Sequence, residues 1–452
     1  EDSCDEVIAR FKADGQDKEM LCGGRAIKPD MHDWQKMIST AAGGTIKVEV
    51  YARTGNHWKR YRIFDIHVSK DSINPYISYR LLPPSYEIYS EMTLNQRCLE
   101  NYEERVIVNN MLCTPKGGGQ CVNCHSYQNY NSKRMQFHAR HSNGGTIIVY
   151  DDKIEKIKMR SDSLVSAGVY PAWHPWLPLI VYSTNNTAQS FHTRNHNKIE
   201  VFDATSDLIA YNMEKKEVWN IENDSTEFEV FPCWAPDGKW LYYCSAHFEF
   251  ESGGKENHKQ ETVLRAQEIK YNIYRKAFDC EHWVFSPHER IFQADSIGKS
   301  ATLPRISPDG RFLMFTLGNY GVFHIWHHEA DLYLMDLKDR SVRNLTELNS
   351  PDTESYHSWS SNGRWVVFSS RRNDGNYTRL FFSHIDKNGK GTKPFELPQE
   401  NPDFHRQLLK SYNIPEFMES PIDISPQEFA RTLKESDGTP VQFIIKPNKY
   451  SD

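Results

Sequence analysis

The chain has 452 residues with 54 Lys plus Arg against 60 Asp plus Glu, a net charge of −6 and a pI near 6.4. This excludes an electrostatic footprint for nucleic acid, and no apolar run reaches the roughly 20 residues that a membrane-spanning helix needs. Charged residues at 25% exclude global disorder, while 38% hydrophobic residues combined with 13% aromatics points to β-structure, in which rings pack across strands. The first residues, Glu1-Asp2-Ser3-Cys4-Asp5, carry neither a basic n-region nor an apolar h-region, as in a chain without a signal peptide or one numbered after its removal.

Residues 1–89 read as an N-terminal region with a small sheet. A helix is expected from Met31 to Ala42, stopped by Gly43-Gly44. Period-2 strands follow in 45–51, 62–68 and 75–81. Residues 90–142 read as a helical and loop segment, with a helix over 90–112 and a glycine-rich loop at 114–119. Residues 143–430 hold a degenerate repeat, and 431–452 a C-terminal strand or tail.

The repeat reads Pro171-Ala-Trp173-His-Pro175, Pro232-Cys-Trp234-Ala-Pro236-Asp237-Gly238, Pro304-Arg-Ile306-Ser-Pro308-Asp309-Gly310 and His357-Ser-Trp359-Ser-Ser-Asn362-Gly363. Each copy is a strand, a tight turn and a strongly β strand. Gly supplies the positive φ of the turn, and Asp or Asn bonds back to the backbone. The first copy has Leu177-Pro178-Leu179 in place of Asp-Gly. A single hairpin cannot bury its own face, whereas several four-stranded blades around an axis can. The expected fold is mainly β: a propeller preceded by a small α+β region. The roughly 290 residues from about 140 to 430, at roughly 45–50 per blade, give six blades, with five or seven open.

These turns resemble the WD40-like repeat of TolB-like β-propellers, over about residues 140–400. With an upstream Cys-x-x-Cys-His the chain is similar to TolB-like envelope proteins of the Bacteroides group. The resemblance implies a periplasmic or outer-membrane location and an envelope protein partner within an outer-membrane or periplasmic complex. It also implies a lipid anchor through a cysteine at or before the start of the numbering.

Cys121-Val122-Asn123-Cys124-His125 has the spacing of c-type haem attachment, with both thiols on the porphyrin and His125 as proximal iron ligand. Met135 or His138 would be the sixth ligand, sharing one face of an expected helix with His141 close by. Two other readings compete. The thiols could be half of a zinc site with Cys113 or Cys98, or they could form a disulfide. Cys4 with Cys22, and Cys98 with Cys113, are candidate local disulfides. Cys233 and Cys244 flank a hairpin in a register that favours core thiols.

His192 and His196, and the cluster of His324, His327 and His328, are read as loop and blade histidines without a ligand role. No nucleophile elbow, phosphate loop or zincin helix occurs. Ser72, Ser163, Ser225 and Ser296 each follow Asp and precede an apolar or small residue. That is the O-glycosylation pattern of the Bacteroides group, and about one match would arise by chance. Three classes of function stay open: a haem electron-transfer module docking an envelope partner, a non-catalytic interaction scaffold with a structural cysteine motif, and an enzyme using the propeller funnel.

Overall fold

The structure is a computed structural model that describes residues 4–13, 19–24, 27–84, 90–114, 120–141, 143–160, 163–164, 166–191 and 197–446. Its contacts divide the chain into two units, residues 1–72 and 73–452.

The first unit contains β1 (Glu6–Ala13), β2 (Glu19–Gly24), α1 (Met31–Ala41), β3 (Thr45–Thr54), β4 (His57–Arg60) and β5 (Phe64–His67). The strands form one sheet in the order β2-β1-β3-β4, with β5 also paired to β3. Asp30 caps α1, accepting from the His32 and Asp33 backbone N–H groups at 2.9 and 3.2 Å. Met37 and Ala41 of the helix pack on Phe11, Ile46 and Val48, which are alternate residues of β1 and β3. This packing is the source of the period-2 pattern.

The second unit is a ring of antiparallel sheets. Among the described residues it has six four-stranded blades. Blade 1 is β6 (Tyr76–Leu82), β7 (Thr93–Cys98) and β8 (Glu104–Asn109), completed by β30 (Ser411–Met418). Blade 2 is β9 (Gln120–Gln128), β10 (Asn131–His141), β11 (Gly145–Tyr150) and β12 (Lys153–Lys158). Blade 3 is β13 (Gly168–Trp173), β14 (Leu179–Phe191), β15 (Ile199–Asn212) and β16 (Glu217–Glu222). Blade 4 is β17 (Glu227–Trp234), β18 (Trp240–His247) and β19 (Asn272–Asp279), edged by β20 (Val284–Phe285) and β21 (Glu289–Phe292). Blades 3 and 4 share one bridge, Ser206 to Phe228.

Blade 5 is β22 (Ser300–Ile306), β23 (Phe312–Gly318), β24 (Asp331–Asp336) and β25 (Val342–Asn344). Blade 6 is β26 (Glu354–Trp359), β27 (Trp365–Ser370), β28 (Arg379–His384) and β29 (Phe395–Glu396). The innermost strands touch in the closed order β30, β9, β13, β17, β22, β26 and back to β30. The ring therefore closes by pairing Ser411–Met418 with Leu82–Tyr76, so that residues more than 300 positions apart complete one blade. This is a β-propeller. Two short strands near the C-terminus, Thr439–Pro440 and Gln442–Phe443, pair with the outer edges of blades 2 and 3.

The repeated turns follow from their residues. Gly238, Gly310 and Gly363 have φ of 61, 72 and 65°, a region open to glycine at little cost. Asp237, Asp309 and Asn362 accept from the N–H two residues on at 3.0, 3.2 and 3.0 Å. In blade 3, which lacks Asp-Gly, the His174 ring accepts from the Leu177 N–H at 3.1 Å.

Three expectations are corrected. Residues 90–112 are not a helix but mainly β7 and β8. The polar residues Asn95, Gln96 and Arg97 of β7 are buried: Gln96 exchanges two hydrogen bonds with the Ile422 backbone at 2.9 and 2.7 Å, and Asn95 donates to Glu104 at 2.6 Å. The sheet of the N-terminal unit ends at β5, and the 75–81 strand belongs to the propeller, which starts well before residue 143. The segment 133–141 is strand β10, not a helix. The loop at 115–119 lies outside the described residues.

Candidate functional site at the channel mouth

Each innermost strand breaks register against its neighbour, once in five blades and twice in blade 2. One break in each blade holds a residue with positive φ: Cys124 (53°), Tyr170 (48°), Phe231 (54°), Leu303 (55°), Tyr356 (48°) and Ile414 (50°). These are β-bulges, which kink a strand and re-aim its side chains. Side chains of this level meet on the axis: Phe231, Leu303 and Tyr356 share one core cluster, with Tyr170 and Ile414 packed against it. The Tyr170 and Phe231 rings stand 4.5 Å apart. They fill the waist of the channel.

The residue after the bulge is Pro171, Pro232, Pro304 or Pro415 in four blades, and His125 or His357 in the other two. Two residues further on stands Tyr127, Trp173, Trp234, Ile306, Trp359 or Phe417. Each Trp donates its indole N–H to the preceding blade, Trp173 to Ser126 Oγ at 3.1 Å, and Trp234 to the Ala172 carbonyl and Trp359 to the Arg305 carbonyl at 3.2 Å. The repeat is thus sixfold, and Cys124-His125 is its copy in blade 2. Sequence reading missed the copies at His125-Ser126-Tyr127 and Pro415-Glu416-Phe417, although the second has the Pro-x-aromatic spacing to find it by.

Beyond the waist the ring opens into a cavity of about 510 Å³ lined from all six blades. Its walls include Trp173, Trp234, Trp359 and Phe417, with Pro175, Pro236 and Pro308 at the turns. Its charged lining residues are Arg305, Glu416 and Glu419. Arg305 Nη2 donates to Glu416 Oε1 at 2.8 Å, and Ser358 Oγ donates to Glu416 Oε2 at 3.1 Å. Burial acts against the Arg305 charge, and Glu416, followed by Cys233 and Tyr130, opposes it and leaves the guanidinium pKa raised. Cys233 in the wall is a thiol whose pKa burial pushes up, so it is not an activated nucleophile. No sequence pattern had marked Arg305 or Glu416, because isolated charges in strands carry no motif.

The haem residues do not come together. A haem c needs a flat cavity beside both thiols with the imidazole beneath the iron. Cys121 is half-buried, Cys124 is buried in the bulge, and its carbonyl accepts from Gln136 at 2.5 Å. His125 is 1% exposed, and neither ring nitrogen has a hydrogen-bond partner. Burial lowers its pKa to about 3, Arg80 adds to the shift, and the Ser78 backbone opposes it without completing a hydrogen bond. Met135 packs in the core between blades 1 and 2, beside Val122 and Phe137. His138, three residues on in the same strand, lies on the opposite face, where its Nδ1 meets Thr146 Oγ1 at 3.2 Å and burial lowers its pKa to about 3. Met135 is thus packed away in a core and His138 is committed to Thr146, so neither alternative stands open as sixth ligand, and with the His125 ring enclosed the arrangement does not fit haem.

Nor does zinc find a set: all nine cysteines are unbridged, and no group of three or more His, Cys, Asp or Glu suited to a metal ion occurs among the described residues. Cys4, Cys22, Cys98 and Cys113 are likewise free thiols. Cys233 pairs across the hairpin with Tyr242, and Cys244 with Val230.

His192 and His196 lie outside the described residues. His327 is buried, with Nε2 2.8 Å from Glu200 and Nδ1 3.6 Å from Glu329. Burial opposes its charge, but the two carboxylates prevail and raise its pKa to about 9. His324 bonds Thr302 at 2.9 Å and the Tyr320 carbonyl at 3.1 Å. Ser72, Ser163, Ser225 and Ser296 are all exposed.

No protein-family model matches the chain, and no curated protein matches it. Solved structures similar to it include TolB from Acinetobacter baumannii, at 14% identity over 86% of this chain and 85% of that one, with a TM-score of 0.48. An oligogalacturonate lyase in complex with manganese is 11% identical over 74% and 78% of the two chains, with a TM-score of 0.39. A puromycin-hydrolyzing peptidase from Mycobacterium tuberculosis is 11% identical over 79% and 52%, with a TM-score of 0.38. The propeller fold itself stands on the sheet order and ring closure of this chain.

Proposed function

We propose that the chain is a non-catalytic binding propeller of the cell envelope whose channel mouth receives a segment of a partner protein. The observation that carries this reading is the mouth: one blind cavity, built from all six blades, with aromatic and proline walls and a single ion pair at depth. A concave site that combines aromatic walls with placed polar groups is a usual form of binding site. Glu416 is held by Arg305 and Ser358, and the Cys233 thiol is protonated, so neither is poised as base or nucleophile. The envelope setting follows the resemblance of the hairpin turns to TolB-like propellers.

The test is selection of peptides from a displayed library on the full chain, followed by titration against Ser361→Trp, which fills the mouth. Selected peptides should bind the variant at least about tenfold more weakly, the loss of about one well-placed contact. Equal binding to both proteins would move the function away from the mouth.

A further inference from the structure

The mouth holds three charges, and their hydrogen bonds are unequal. Both oxygens of Glu416 are used, one by Arg305 and one by Ser358. Its side chain is 14% exposed. Glu419 sits exposed among the lining residues and is bathed in solvent. Arg305 differs from both. A guanidinium has five N–H donors in a planar fork, and Arg305 uses Nη2 on Glu416. Its Nε and Nη1 have no protein partner among the described residues, and 35% of the side chain is reached by solvent within the cavity. Beside it stand Trp234 and Trp359, whose indole N–H groups are already spent on carbonyls. The tryptophan walls therefore offer apolar faces, and among the charged lining residues the unspent donors are those of Arg305.

We infer that the mouth recognises a carboxylate of its peptide partner, bound by the free edge of Arg305 beneath the tryptophan walls. Nη2 spends one of its two N–H groups on Glu416, so one guanidinium edge, the second Nη2 hydrogen together with Nε or Nη1, stays open and matches a carboxylate in bidentate geometry. Glu416 keeps the guanidinium oriented through Nη2 and Ser358 fixes Glu416 in turn, so the fork is held before the ligand arrives. This rests on the proposed binding role of the mouth and names the chemical class that enters it. The carboxylate is either a free chain terminus or an Asp or Glu side chain, and the two are separable by experiment.

The probes are N-acetyl-phenylalanine, N-acetyl-glutamate α-amide, the uncharged N-acetyl-phenylalaninamide and the cationic N-acetyl-lysinamide. Titration of full-length protein labelled with 5-fluorotryptophan, read by fluorine NMR at Trp173, Trp234 and Trp359, reports occupancy of the mouth. One of the two carboxylates should bind at least about tenfold more tightly than both the amide and the lysine probe, as charge-assisted bonds imply. Whichever carboxylate leads identifies terminus or side chain. The preference should vanish in Arg305→Gln/Glu416→Gln, a pair change that strands no buried charge and whose fold is checked by its thermal transition. Equal shifts from acid and amide, or tighter binding of the lysine probe, would overturn the inference. Neither result touches the binding role, which fails only if Ser361→Trp leaves selected peptides unaffected.

Discussion

Replacing His125 by Pro tests whether the cysteine motif is a blade repeat or a ligand set. Four of the six inner strands already have Pro at this position, each after a residue with positive φ, so the backbone of blade 2 should accept it. The imidazole is 1% exposed with both nitrogens unpartnered. Removing an unsatisfied buried polar group relieves about 1–3 kcal/mol. Proline at a compatible site adds about 0.4–1 kcal/mol by restricting the unfolded chain. The exchange of rings costs about 1 kcal/mol in packing. The net expectation is a stabilisation of about 0.4–3 kcal/mol, summed from these three effects.

His357→Pro is the control, because His357 Nε2 donates to the Met314 carbonyl at 3.0 Å and that bond would be lost. It should leave the protein about 1 kcal/mol less stable than His125→Pro does. Urea unfolding at neutral pH measures both. The acid limb gives a second readout. Folded His125 has a pKa lowered to about 3, below the unfolded value near 6.5. The unfolded chain therefore takes the proton first, and stability falls as pH drops from about 6.5 towards 3. His125→Pro should soften that fall. A loss of more than about 3 kcal/mol in His125→Pro alone, well beyond a packing change, or a Soret band that disappears with it, would refute the repeat reading and restore His125 as a ligand.

Glu229 is 2% exposed with Oε2 unpartnered, and burial, reinforced by Glu222, Asp207, Glu227 and Asp224, raises its pKa to about 10. A raised carboxyl stays protonated when folded while the unfolded chain ionises above pH 4.5, so stability is lost as pH rises from there towards 10. Glu229→Gln should therefore stabilise by at least about 1 kcal/mol at pH 8 and by nothing measurable at pH 4; equal effects in urea at the two pH values would contradict this. Residues 73–452 contain the whole ring, so that fragment should melt cooperatively with the same β-rich circular dichroism, whereas deleting 411–452 removes the innermost strand of blade 1 and should abolish the cooperative transition.

What the sequence determined by itself is local. Asp30 before Met31 and Gly43 after Ala42 bracket α1, and the Pro-Asp-Gly and Ser-Asn-Gly turns stand where they were expected, because a cap bond or a positive φ needs only a few neighbouring residues. The propeller follows from repetition of such turns. The middle strands were not legible in this way. Thr93–Cys98 is polar in sequence yet almost wholly buried, because Gln96 bonds Ile422, and such partners lie more than 300 residues away. Met135 and His138 share a face on a helix and oppose each other on a strand, and only the hydrogen bonds of β9 and β11 on either side of β10 decide which applies. The pentapeptide Cys121–His125 has one local spacing but two meanings. Its true counterparts, Tyr170-Pro171 and Tyr356-His357, share almost none of its side chains, and their equivalence lies in a backbone bulge that exists only once the ring has closed. Arg305 and Glu416 come from different blades, and the charge they place at the mouth belongs to that closure alone.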